Sequence, residues 1–567
     1  MKDRARPAAS GLQPLSHENR GIARAAGVVA SLTLASRITG LLRDVVTGYY
    51  FGAGTAADAF FVAFRLPNLL RRFVGEGAVS VAFVPVLTEY LAQRSAPDAQ
   101  RALRAVVTGF TALLVAAMLL GVALAPYWLA ILAPGFTAQP DAMALTVRLT
   151  RWLFPYLLLI GLVALLGGFL NVLRHFLAPA LAPVLLNLAV IGSAVALVPH
   201  LSTPVFALVW GVLLGGALQL AVQLAALARR GVSLVPLWEP RHPAIGRVLR
   251  LLAPSTFGAA AYQMNVLVST SLASMLRAGS VSALWYAGRV FEFPIGLVAV
   301  AIGTAALPTF ADQAVRGARA DLRRSLTFSV GLTTVLAVPA SLALIVLARP
   351  ITAVLFQRGA FGPEEVERTA LALRAYAVGL WPLSVARVVV PAFYALRDVR
   401  APVRAAGAAL LANALTGLAL IGPVPQQQAS WLAAAIAHAA TALRTADLGH
   451  AGLALAASIA AVVNVACLIA PLARHLGAFD LRPLLAALRR SLIAALPMAV
   501  LVSAAAGRID WTGPAHPAVK AAWLAATIAV GVLAFGGTAL AIGGPEIDGL
   551  RRLLAERLGR GHQVPPP

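Results

Sequence analysis

The stretch SRITGLLRDVVTGYYFGAGTAADAFFVAFRLPNLLRRFVGEGAVSVAFVPVLTEY, Ser36 to Tyr90, is apolar enough to cross a bilayer twice yet carries charges at its centre. Arg37, Arg43, Asp44, Arg65, Arg71, Arg72 and Glu76 sit where hydropathy would place them in hydrocarbon. Each costs about 2.5–3.5 kcal/mol at the bilayer centre even on the lenient insertion scale, so a cluster is tolerable only around a water-filled cavity. Transport of something anionic is the leading reason for such a cavity to exist.

The rest of the chain has the same solvent preference. Of 567 residues, 60% are hydrophobic and 12% charged, where soluble domains carry about 25% charged residues; the mean hydropathy is +0.82. Apolar segments recur at roughly 21–51, 57–92, 101–133, 142–173, 180–199, 205–230, 247–277, 282–310, 322–347, 368–396, 402–422, 450–473, 484–506 and 518–543, each long enough to cross about 30 Å of hydrocarbon as a helix. The expected fold is therefore an all-α polytopic membrane protein of about fourteen transmembrane helices. The lone Cys467 allows no intrachain disulfide.

A formal charge of +24 would point to nucleic acid in a soluble protein, but here the basic residues alternate between connections. Lys2, Arg4, Arg6, Arg20 and Arg24 precede the first segment, and Phe51 to Asp58 has no basic residue. Arg94, Arg101 and Arg104 follow, then a loop with Asp141; the alternation continues to Arg551, Arg552, Arg557 and Arg560 in the tail. By the positive-inside rule both ends are expected in the cytoplasm. The basic leader with Ala25 to Ala35 looks superficially like a secretory signal, but the helix continues to Phe51 and reads as a retained span. Residues 1–20 and the HQVPPP end read as disordered.

One self-similarity stands out. Ala78, Ala82, Pro85 and Glu89 recur, shifted by 223, as Ala301, Ala305, Pro308 and Asp312, and the same shift carries Leu173, Arg174, Ala178 and Pro179 onto Leu396, Arg397, Ala401 and Pro402. The displacement is six segments, an even number, so the halves keep one orientation and form two pseudo-symmetric six-helix lobes with a path between them. The expected organisation is a 1–20 leader, an N-lobe at 21–230, a C-lobe at 247–473, an added helix pair at 484–543 and a tail at 544–567. Arg289 falls within one residue of the counterpart of Arg65.

Asp58, Arg65, Arg72 and Glu76 are spaced by seven, seven and four residues, so they share a helical stripe that Asn68 joins, with Arg71 about 100° aside. Pro67, Gly75 and Gly77 predict a kink. An Arg72–Glu76 ladder would explain one pair structurally, but three arginines against one glutamate leave excess positive charge. Arg37 and Arg43 flank Gly40 with Asp44 adjacent, and Arg289 lies three residues before Glu292 in AGRVFEFP. Arginine suits an anion site because its planar fork binds phosphate or carboxylate bidentately and stays charged. Enzyme signatures are missing: no HExxH or Cys/His cluster offers a metal site, and Gly52, Gly54 and Ala57 fit GxGxxA without a preceding strand. No cofactor is expected.

At these residues the chain resembles the MurJ (MviN) family of lipid II flippases, in the superfamily that also holds MATE drug exporters and polysaccharide flippases. The likeness rests on SRITGLLRD (Ser36 to Asp44), the run from Phe51 to Tyr90, WYAGRVFEFPIGLVAVAIGTAALP (Trp285 to Pro308) and LRDVRAPVR (Leu396 to Arg404). The resemblance implies two six-helix lobes plus a helix pair that grooves the polyprenyl tail. It also implies a cationic cavity using Arg37, Arg43, Arg71 and Arg289, an important acid at Asp58, and Asp44 closing with neighbouring arginines. Gly288 stands where many relatives have Asp, and Arg65 where Lys is common. Segments 7 and 11 contain no Asp or Glu, only Asn265, Asn413 and Thr416, which disfavours a sodium site. Pro423 to His450 reads as an inserted external loop.

The resulting expectation is a lipid II flippase of the bacterial inner membrane, an alternating-access transporter driven by membrane potential. Substrate would contact Arg37, Arg43, Arg71, Arg289, Arg65 and Asp58, while Asp44, Arg72, Glu76 and Glu292 form gating ion pairs. Its partners would be lipid II, membrane lipids and cell-wall synthesis proteins, with no nucleic acid and a monomeric state. The alternatives are a flippase for another polyprenyl-linked oligosaccharide and a MATE-like drug/cation antiporter, the latter expected to show intramembrane carboxylates and about twelve spans.

Overall fold

The computed structural model describes residues 17–75, 78–425, 430–477, 480–513, 516–549 and 551, with side chains described except at 17–26, 70–75, 78–82, 91, 96 and 252–262. Among them there are no strands, only one isolated bridge between Ile421 and Asp447. The first half runs α1 (His17–Phe51), α2 (Thr55–Gly75), α3 (Ala78–Gln93), α4 (Ala96–Ala123), α5 (Ala125–Leu132), a 3₁₀ turn (Pro134–Ala138), α6 (Pro140–Leu153), α7 (Pro155–Val172), α8 (Leu177–Leu197) and α9 (Phe206–Ala228). The second half runs α10 (Pro243–Ser274), α11 (Ser280–Pro294), a π turn (Ile295–Ala299), α12 (Val300–Val315), α13 (Arg319–Phe356), α14 (Pro363–Val378), α15 (Leu380–Ala395), α16 (Arg400–Leu420), α17 (Trp431–Leu443) and α18 (Gly449–Leu476). Two more helices follow, α19 (Arg482–Ala506) and α20 (Pro517–Ile542).

The 223-residue repeat is present in the element boundaries. Helix α1 ends at Phe51 and α10 at Ser274; α4 starts at Ala96 and α13 at Arg319; α6 starts at Pro140 and α14 at Pro363; α8 covers Leu177–Leu197 and α16 Arg400–Leu420. Backbone conformation repeats too. Among the described residues the non-glycine positions with positive φ are Arg174 (φ 55) and Arg397 (φ 58), again 223 apart. Each closes a helix in the same way: Arg174 N–H donates to Asn171 and His175 N–H to Leu170, while Arg397 N–H donates to Tyr394 and Asp398 N–H to Phe393. A left-handed L-residue costs about 1–2 kcal/mol, which is offset here because the turn satisfies carbonyls that a helix end leaves open.

The halves differ where an insertion or a break intervenes. In the first, α5 and the 3₁₀ turn are separate, whereas α13 continues through Pro350 to Phe356. The second adds α17 before α18. Pro67 lies inside α2, and Gly77, part of the expected kink, lies outside the described residues. Ten helices are long and apolar enough to cross a membrane among the described residues, and α14 with α15, bent by 46°, makes an eleventh. Helices α1, α2, α3 and α10 lie outside that set.

The chain gathers into two compact units, one of Met1–Arg43, Leu70–Leu120 and Leu153–Thr256, the other of Asp44–Leu69, Gly121–Trp152 and Phe257–Pro567. The grouping does not follow linear order, since α1 and α2 each contribute to both. In the larger unit α19 packs on α13 and α20. A core there joins Phe310 of α12, Leu326 of α13, Val388 and Phe393 of α15 and Leu468 of α18, all buried. Glu76, the 1–16 leader and the HQVPPP end lie outside the described residues, as do the side chains of Arg71 and Arg72.

Candidate functional site

In the larger unit the charged residues converge on α11. Its N-terminus requires Gly279, which has φ +86 and where a Cβ would run into the Ala53 carbonyl. Asp58 of α2, 2% exposed, closes that end. Its Oδ2 accepts from Gly279 N–H at 2.6 Å and its Oδ1 from Ser282 N–H at 2.7 Å, and the Ser282 hydroxyl donates to Oδ1 as well. A carboxylate at a helix N-terminus satisfies orphaned N–H groups and complements the helix dipole. Both Asp58 oxygens are engaged by the turn that begins α11. Arg368 of α14 holds the same turn from the other side, donating to Ala278 O at 2.9 Å and Ser280 Oγ at 3.2 Å. Arg368 is not among the residues that sequence singles out for a site.

One turn further, aromatic packing fixes the direction of α11. Tyr286 is fully buried, donates to Gly52 O at 3.2 Å and meets Phe61, Phe356 and Phe361 with centroids 5.0–5.5 Å apart. Trp285 stacks on Phe61 at 4.6 Å. The guanidiniums of both Arg65 and Arg289 lie 5.1 Å from the Trp285 ring centroid, within cation–π range. Arg65 is one turn from Phe61, and Arg289 one turn from Trp285, so helical spacing delivers both cations to one indole. Trp285 was not singled out from sequence; its one-turn spacing from Arg289 was the available signal.

Arg289 then makes two ion pairs. Its Nε lies 3.0 Å from Asp44 Oδ2 and its Nη1 3.3 Å from Glu292 Oε2. Asp44 is buried at 3% side-chain exposure while Arg289 is 34% exposed. The expected closing of Asp44 with a neighbouring arginine includes this pair with Arg289. Arg65 and Arg289 thus share the Trp285 ring, and Arg289 also carries Asp44 and Glu292.

In the smaller unit Arg43 is oriented by α8. Its Nη1 donates to Asn187 Oδ1 at 3.2 Å, while Asn187 Nδ2 donates to Ser36 O at 3.1 Å and Thr39 Oγ1 at 3.2 Å. Asn187 is 5% exposed, with both ends of its amide engaged. Arg37 is exposed on the same helix. Sequence reasoning missed Asn187 because these contacts run across about 150 residues. Arg71 and Arg72 belong to this unit, so the stripe of Asp58, Arg65, Arg72 and Glu76 is divided after Leu69. In the larger unit Asn413 donates to Ser269 Oγ at 3.2 Å, and among the described residues no group of three or more His, Cys, Asp or Glu could hold a metal ion.

Long apolar helices built on a repeat, with arginine–carboxylate pairs on helix faces, define a polytopic membrane protein. Solved structures of similar fold include a lipid II flippase MurJ in an inward closed conformation, with TM-score 0.71 and 24% identity over 90% of this chain and 97% of that one. An inward-facing multidrug resistance MATE transporter of the MOP superfamily has TM-score 0.59 and 14% identity over 79% and 98%. The family model described as lipid II flippase MurJ matches residues 47–514. The lipid II flippase MurJ of Burkholderia cenocepacia is 37% identical over 511 residues, covering 89% of this chain and 94% of the relative. A probable lipid II flippase MurJ of Vibrio cholerae is 36% identical, covering 78% and 81%. The chain belongs to the MurJ lipid II flippase family, a family of transporters rather than enzymes.

Proposed function

We propose that this chain flips lipid II, the undecaprenyl-diphosphate-linked peptidoglycan precursor, from the cytoplasmic to the periplasmic leaflet of the bacterial inner membrane. The observation that carries the reading is Arg289, held at once by Asp44, Glu292 and the Trp285 ring. Diphosphate and peptide carboxylates offer the bidentate acceptors that arginine fits, and their arrival exchanges one anion for another rather than exposing a bare cation. Arg65, Arg37, Arg43 and Arg71 serve as further anion contacts. The Asp44–Arg289 pair, and Arg72 with Glu76, open and close between inward and outward states in alternating access.

The exposed apolar faces of α19 and α20, including Leu485, Leu496, Val500, Val532 and Leu533, give the prenyl tail its track. Both chain ends lie in the cytoplasm, and cell-wall synthesis proteins supply and receive the substrate. An inside-negative potential favours outward movement of anions by up to about 2.3 kcal/mol per full charge per 100 mV. Depletion of the protein is expected to accumulate lipid II in the cytoplasmic leaflet, and an imposed inside-negative potential to speed translocation in proteoliposomes. Unchanged leaflet distribution on depletion would overturn the substrate assignment, and indifference to potential would overturn the driving force.

Asn187→Asp tests the Arg43 contact. The carboxylate cannot donate to Ser36 O or Thr39 Oγ1 and pairs Arg43 internally, so about 1–3 kcal/mol of positioning is lost and translocation is expected to fall about tenfold with normal insertion. Wild-type flipping by Asn187→Asp would remove Arg43 positioning from the mechanism.

A further inference from the structure

The inserted segment after α16 forms a closed neck. Thr445 and Leu448 donate backbone N–H groups to Ala419 O and Leu420 O at 2.9 and 3.0 Å, Ile421 bridges Asp447, and Arg444 pairs with Asp447. These acceptors are the last residues of a membrane-spanning helix, α16. Helix α17 ends at Leu443, two residues before the first of these bonds, so its C-terminal end sits at the depth where α16 leaves the membrane. Ser430 caps the other end by accepting from Ala433 N–H at 3.2 Å.

Small residues pack the inner face of α17: Ala433, Ala437 and Ala440 are buried, and the helix touches α16 and the Pro134–Ala138 turn. The outer face presents Trp431 at 81% exposure, Leu443 at 41%, and exposed Ala435, His438 and Ala442. His438 turns Nδ1 onto its own helix, 2.8 Å from Ala434 O. Apart from His438 and Thr441 every residue of the helix is apolar, and none is charged. A helix apolar on all sides does not face bulk water. Thirteen residues make only about 20 Å of helix, too short to cross a hydrocarbon core of about 30 Å.

We propose that α17 is an interfacial helix, seated in the headgroup and upper acyl region of the bilayer where α16 ends, with Trp431 as its anchor. The occupant of its outer face is lipid, because α17 is apolar, is tied at its C-terminal end to the last residues of a membrane-spanning helix, and carries the aromatic residue that partitions to this depth. This reading is independent of the transported substrate.

The test replaces exposed Cys467 by serine and introduces single cysteines by Trp431→Cys, Ala435→Cys and His438→Cys in the full-length protein. Leu411→Cys serves as the mid-span reference and Asp480→Cys as the loop reference. A fluorophore on each is challenged in phosphatidylcholine/phosphatidylglycerol vesicles with headgroup-proximal nitroxide lipid, deep nitroxide lipid and aqueous iodide. The expected result is quenching at all three α17 sites at least about threefold stronger by the shallow lipid than by iodide. Iodide quenching equal to the loop reference, deep quenching equal to Leu411→Cys, or no quenching by any agent would each overturn the proposal.

Discussion

Arg289→Ala is expected to abolish lipid II translocation while leaving insertion intact. The change removes the 3.0 Å partner of Asp44, a carboxylate of 3% side-chain exposure, together with one of the two cations on Trp285. Stranding one partner of a buried pair costs about 3–5 kcal/mol, and the lower end applies because Arg289 is 34% exposed. About 3 kcal/mol corresponds to roughly a hundredfold in rate. Arg289→Lys keeps the charge and loses the fork, so partial activity is expected from it. The measurement is the appearance of labelled lipid II in the outer leaflet of proteoliposomes, with membrane yield as the control. Full activity of Arg289→Ala would sink the assigned site.

Asp58→Ala is expected to fail earlier, at folding. Two backbone N–H groups and a hydroxyl at the start of α11 lose their acceptor in a fully enclosed place. An unsatisfied buried donor costs about 1–3 kcal/mol, and loss of a helix cap about 0.5–2 kcal/mol, so a deficit of about 4 kcal/mol follows. Thermal unfolding of the detergent-solubilised protein should shift downward and the yield of monodisperse material should drop. Asp58→Asn retains one acceptor and should lie between wild type and alanine. Normal stability of Asp58→Ala with lost transport would mean that the carboxylate acts on substrate rather than on α11.

The 223-residue repeat was legible from two short matches because proline and the glycine-like arginine turn leave marks in the chain. Arg174 and Arg397 were already among the matched residues, and their shared left-handed conformation is the local cause of the match. Stripe geometry correctly placed Asp58 and Arg65 on one side of α2, yet they meet different partners, the start of α11 and the Trp285 ring. A helical period tells which side chains point together, not what they point at. Asn187 escapes notice for the same reason: a single asparagine in an apolar helix has no periodic signal, and its role appears only when a residue more than a hundred positions away arrives beside it.

Sequence alone determined the solvent, the helical class, the repeat and the identity of the charged residues. Hydrocarbon forces the backbone to satisfy itself within helices, and the cost of intramembrane charge makes each arginine an announcement of a cavity or a partner. Tertiary structure decided the pairing: Asp44 on Arg289, Asp58 on the α11 N-terminus, Asn187 on Arg43. Whether a buried carboxylate latches, caps or meets substrate depends on which donors stand within about 3 Å of it, and helix packing sets that distance.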